Sequence, residues 1–79
     1  MVRFSYLMAV YTPGDFTLIE VSPTLFRVSS EDGSLAYFAS RLRAEQQGHE
    51  TAKERGVTLW RGIEGKPQAR TLIASYRPS

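Results

Sequence analysis

Apolar residues fall at every second position in several short runs of this chain. In residues 2–11, "VRFSYLMAVY", Val2, Phe4 and Tyr6 share one face and Arg3 and Ser5 the other, before the run turns apolar on both faces. Alternation with aromatic and β-branched content predicts a strand. Thr12-Pro13-Gly14-Asp15 follows, and Pro before Gly is the order a type II turn takes at its centre. Phe16, Leu18 and Glu20 then alternate with Thr17, Ile19 and Val21, so 2–11 and 16–22 read as a hairpin across that turn. Pro23 has no N–H to give a ladder and ends the strand or marks an edge. Residues 24–30, "TLFRVSS", are a further strand candidate.

The next stretch, "SSEDG", fits two patterns. Ser29 or Ser30 can cap a helix with Glu31 and Asp32 at its positive end. Alternatively, Asp32-Gly33 is a hairpin turn and "SLAYF" a strand. The spacing of Leu35, Phe38, Ala39 and Leu42 follows i, i+3, i+4, i+7 and favours the helix. Beyond Leu42, "RLRAEQQGHETAKERG" keeps strong helix formers but offers only Gln46, His49 and Ala52 on the continuing stripe, and Gly48 costs about 1 kcal/mol against Ala inside a helix. This half is a solvated extension, a second short helix after Gly48, or a helix lying on a partner. Gly56 after Lys53 and Arg55 is a C-terminal stop.

Two more strands are expected at 57–63 and 69–76, joined by a five-residue loop, Glu64-Gly65-Lys66-Pro67-Gln68. Two registers fit this hairpin: one sets Trp60 opposite Leu72 and Leu59 opposite Ile73, and a one-residue slide brings Leu59 to Ala74. A slip of one flips every side chain. The expected fold is α+β: a small antiparallel sheet of four strands, five if 24–30 joins, under one helical layer, in the order β-β-(β)-α-β-β and in a single domain, 1–79.

Composition narrows the class. The chain has 79 residues, 42% hydrophobic and 23% charged, which reads as folded and globular. A chain this short buries only about 60–65% of its unfolded surface, so its core is marginal. With no cysteine and one histidine, disulfides and a zinc cluster are not available. Self-association is the remaining support, and the last hairpin has more apolar positions than one helix can cover; a two-fold homodimer is expected. Zero cysteine suits a cytoplasmic location, no apolar run approaches the roughly 20 residues that span a bilayer, and turn residues rather than a cleavage site follow the first apolar run.

Net charge is +2, and it is uneven. Residues 1–30 balance, 31–55 come to −1, and 56–79 come to +3 from Arg61, Lys66, Arg70 and Arg77 against Glu64. That last segment also holds the single tryptophan. Trp, Tyr and Arg are the types enriched at binding hot spots, so Trp60, Arg61, Arg70, Tyr76 and Arg77 form the candidate partner-binding set, with an acidic protein surface as complement. The competing reading places Trp60 in the core. The charge is modest for a nucleic-acid binder, and weak or no binding to duplex is expected.

Catalytic chemistry finds little footing. The serines stand in no triad or elbow signature. His49 has Glu45 four residues before it and reads as a solvated helix residue; "HETAKER" lacks the second histidine of zinc proteases. "GIEGKP" lacks the length and the following Ser/Thr of a phosphate loop, and the Gly62-x-x-Gly65 spacing sits in a hairpin, not between helices as in KH domains. No catalytic residue, cofactor or metal is expected. In overall character, tiny, cysteine-free, one helix on a short sheet, the chain resembles phage and mobile-element accessory proteins, anti-CRISPR proteins among them. The resemblance assigns no residues. It implies a non-enzymatic protein that binds and blocks a larger host machine. A nucleic-acid domain using Arg61, Lys66, Arg70 and Arg77 on phosphates and Trp60 or Tyr76 for stacking is the alternative.

Overall fold

The computed structural model describes residues 10–78, without the side chains of Pro67 and Gln68. The strand expected over 2–11, and with it the hairpin across Pro13-Gly14, lies outside the described residues. The elements are β1 (Phe16–Ser22), β2 (Leu25–Ser30), β3 (Ala36–Ala39), α1 (Arg41–Arg55), β4 (Thr58–Ile63) and β5 (Lys66–Ser75). The expected α+β class and single helical layer are present. The five strands are ordered β3-β2-β1-β4-β5. Among the described strands three pairings are antiparallel and β1 with β4 is parallel, so the sheet is mixed and not the antiparallel one expected from the sequence.

Each local break has a physical cause. Pro23 and Thr24 form the turn between β1 and β2. The Pro13-Gly14 turn forms, closed by the Asp15 N–H on the Thr12 carbonyl at 2.9 Å. It is not type II, because Gly14 does not take the positive φ that type requires. The favoured helix over 31–38 is overturned. Asp32 Oδ1 accepts from the Ser30 hydroxyl (2.7 Å) and the Ser34 N–H (2.9 Å), while Ser30 Oγ accepts from the Leu35 N–H (3.0 Å). Gly33 sits at φ 79. This reversal launches β3, whose period is two: Tyr37 and Ala39 turn inward with Leu35, and Phe38 outward at 61% exposure. Ser29, Glu31 and Asp32 therefore start no helix.

The helix begins instead at Ser40, whose Oγ accepts from the Arg43 N–H at 3.4 Å. It runs unbroken through Gly48 and ends at Gly56 in the left-handed conformation, φ 67 and ψ 40, as expected from the sequence. Leu42 is 67% exposed. The buried face is Ala44, Gly48 and Ala52, small residues four apart that let the helix press onto the sheet. A Cβ on Gly48 would stand 3.2 Å from Leu18 Cδ2 and 3.5 Å from Leu59 Cδ1. Beneath lie Phe16, Leu18, Phe26, Val28 and Leu59, with Ile73 and Tyr76 at the margin.

The last hairpin closes more tightly than expected. Ile63 pairs with Lys66, so Glu64-Gly65 is a two-residue turn with Gly65 at φ 78, not a five-residue loop. Both candidate registers occur. Trp60 pairs with Leu72 and Leu59 with Ala74, and Ile73 is the extra residue of a bulge between them.

Candidate functional site

The face of the sheet that the helix leaves uncovered is built around one carboxylate. Asp15 is fully buried at the mouth of β1. Its Oδ1 accepts from the Thr58 N–H at 3.1 Å and from the Arg77 guanidinium; its Oδ2 accepts from the Thr12 N–H at 3.0 Å and from Trp60 Nε1–H at 3.1 Å. Burial pushes the carboxyl up, but the donors from Trp60, Thr12, Thr58 and Arg77 outweigh it and hold Asp15 below the ordinary carboxylate range. One acid thus ties the 12–15 turn, β4 and the C-terminal arginine together.

Trp60 is 7% exposed. It lies on the helix-free face, alternating with Leu59 and Arg61, and Tyr11 meets its ring edge-on with centroids 6.1 Å apart at 71°. Arg70 stacks on the other ring of this group: its guanidinium carbon is 3.6 Å from the Tyr11 centroid. The Arg70 Nε is buried with no hydrogen-bond partner among the described residues. Tyr11, Thr17, Ser29, Glu31, Ile63 and Arg70 line a shallow cleft of 130 Å³ here. Burial, and then the Glu31 carboxylate, push the Tyr11 hydroxyl up.

The five expected partner-binding residues are divided by the sheet. Trp60, Arg70 and Arg77 come together on the helix-free face. Arg61 points to the helix side, 5.9 Å from the Phe26 centroid. Tyr76 also turns to the helix side, where its hydroxyl meets His49 Nδ1 at 2.7 Å with the rings edge-on at 87°. His49 is accordingly half-buried and paired, not the solvated residue expected. Arg77 is engaged by Asp15 and Thr12.

Sequence reasoning missed Asp15, Tyr11 and Glu31. The single local signal for Asp15 was its place at the end of a Pro-Gly turn, which turn chemistry already explains. Among the described residues, no three or more His, Asp or Glu side chains are grouped to hold a metal ion. No described helix is long and apolar enough to cross a membrane. No family model, curated protein or solved structure shows significant similarity to the chain.

Proposed function

We propose that this chain is a non-enzymatic protein-binding module that offers its helix-free face to an acidic surface of a larger partner, and blocks that partner by occupying it. The observation that carries the reading is Arg70. Its guanidinium is oriented by stacking on Tyr11, and its buried Nε–H has no acceptor among the described residues. Because Nε is buried, the end of the guanidinium, held in place by the Tyr11 ring, is the part that a partner's carboxylate would meet. A planar, pre-oriented guanidinium also matches a carboxylate in two-point geometry. The nucleic-acid alternative has less support, because Trp60 is buried and Tyr76 is engaged by His49, so neither offers an open ring for a base.

Arg70→Glu is the clean test. Arg77→Glu would set a second carboxylate against Asp15 and disturb the fold. Affinity capture from nuclease-treated host lysate, with the captured protein's affinity then measured for both forms, should show a loss of about thirtyfold or more in Arg70→Glu. Glu31 lines the same cleft, so Arg70→Gln, which adds no second carboxylate, is measured beside it and should lose binding with a melting temperature near that of the wild type. A captured protein that binds both forms equally overturns the reading, and capture that vanishes on nuclease treatment promotes the nucleic-acid alternative.

Self-association belongs to the other end of the same face. Val21, Leu25 and Phe38 are 44%, 38% and 61% exposed there; Leu25 and Phe38 alternate with the inward Phe26, Tyr37 and Ala39 and so point away from the helix, and Val21 lies in the bulge between the Glu20 and Ser22 pairs. Light scattering at micromolar concentration should give about twice the 8.9 kDa chain mass; a monomer removes this part of the proposal.

A further inference from the structure

The helix side of the sheet carries a second, chemically different cleft. It measures 180 Å³ and is lined by Leu18, Phe26, Glu45, His49, Arg61 and Ile73. It exists because α1 meets the sheet through Ala44, Gly48 and Ala52, residues too small to fill the space beside them. Glu45 and His49, one turn apart on the flank of the helix, form one wall, and Arg61 of β4 forms another. Leu18, Phe26 and Ile73 make an apolar floor.

The charges of this cleft are unevenly committed. Arg27, Arg41 and Arg77 each have a carboxylate within 4 Å, but among the described residues Arg61 has none. Glu45, the acid of the cleft, is paired with Arg41 at 3.5 Å. His49 is held by Tyr76 through Nδ1. In the tautomer whose Nδ1 accepts from the Tyr76 hydroxyl, Nε2 carries the proton and has an N–H left for another acceptor. A guanidinium with no carboxylate partner among the described residues, 5.9 Å from the Phe26 centroid, and in that tautomer a ring N–H therefore border an apolar floor.

We propose that this cleft binds a small organic monocarboxylate, its apolar body on Leu18, Phe26 and Ile73 and its carboxylate between Arg61 and the His49 Nε2–H. The apolar floor selects a ring or short chain over a sugar. One unpaired cation with Glu45 in the same wall suits a single negative charge and disfavours a phosphate dianion. The volume excludes a nucleotide. This site lies on the opposite face from Arg70, so it stands independently of the protein-binding reading.

The probe is benzoate, followed by two-dimensional amide NMR of the full chain, with benzamide as the neutral isostere. Saturable shifts should centre on His49, Arg61 and Ile73 with a dissociation constant of about a millimolar, in keeping with a ligand this small. Benzamide and the Arg61→Gln variant should each weaken binding roughly tenfold or more, a difference of about 1.4 kcal/mol. Arg61 is exposed, so the variant should keep a wild-type spectrum. Arg70→Gln, on the other face, should bind benzoate as the wild type does. The proposal is overturned by no saturable shift up to roughly 20 mM benzoate, well above the expected constant. Shifts centred elsewhere, equal binding of benzamide, or unchanged binding by Arg61→Gln overturn it as well.

Discussion

Replacing Asp15 by Asn changes one atom in shape and nearly everything in hydrogen bonding. The carboxylate now accepts from four donors, two on each oxygen. An amide keeps one accepting oxygen and sets an NH2 group against the other two donors. One orientation strips the acceptor from the buried Thr58 N–H and the guanidinium, the other from the half-buried Thr12 N–H and the indole N–H. Each unsatisfied buried donor costs about 1–3 kcal/mol, and the ion pair with Arg77, whose side chain is 40% exposed, adds less than the roughly 3–5 kcal/mol of a fully buried pair. Two donors are lost in either orientation, so the expected destabilisation is about 3–5 kcal/mol. A domain of this length has roughly 4–12 kcal/mol in total. At about 4–8 °C per kcal/mol the melting temperature should fall by more than 10 °C. Near-ultraviolet circular dichroism follows it through Trp60. The acid limb supplies a second reading. Asp15 is held below its unfolded pKa of about 3.9, so its stabilisation is present above that value and is lost as the pH falls through the lower, folded value. The wild type should weaken steeply below about pH 4, and Asp15→Asn less so. A variant that melts within a few degrees of the wild type, or an acid limb of equal steepness in both, would refute the assignment of Asp15 as the hub.

Other substitutions test the packing around this hub. Gly62→Ala should destabilise by about 1–3 kcal/mol in urea unfolding, because a Cβ there would come within 2.7 Å of Thr17 Cγ2 and 3.3 Å of Ile19 Cγ1. Gly48→Ala should shift stability by less than about 1 kcal/mol, since the gain in helix propensity offsets the contact with the flexible end of Leu18. Leu59→Ala, at a fully buried position, should cost about 2–5 kcal/mol. Trp60→Ala should lower the melting temperature by more than 10 °C and weaken partner binding with it, as a core-sized loss of about 3–5 kcal/mol implies; normal stability with lost binding would show that the ring serves the partner alone.

Periodicity is a local property, and the sequence carried what periodicity can encode. The runs at 16–22, 24–30 and the last hairpin alternate, and each forms a strand. Gly56 ends the helix because a residue without Cβ enters the left-handed region freely. The α+β class with one helical layer follows from those runs. Residues 35–39 show where local pattern is insufficient. Phe38 fits both a helical stripe and the outward side of a strand, and the choice is made by the Ser30–Asp32 turn together with the free edge of β2. The register of the last hairpin was undecidable for a related reason: two registers were equally good locally, and a bulge at Ile73 lets the structure use both. The helix face was invisible because its contacts are made by Ala44, Gly48 and Ala52, which carry almost no hydrophobic signal and matter only once Leu18 and Leu59 lie beneath them. The site divides in the same way. That Trp60 and the arginines cluster in the last segment is a fact of sequence. That Asp15 reaches Trp60 and Arg77 across separations of 45 and 62 residues, and that Tyr76 turns away to His49, 27 residues distant, depends on which strand lies beside which. The parallel pairing of β1 with β4 decides that, and it is a long-range contact no local pattern contains.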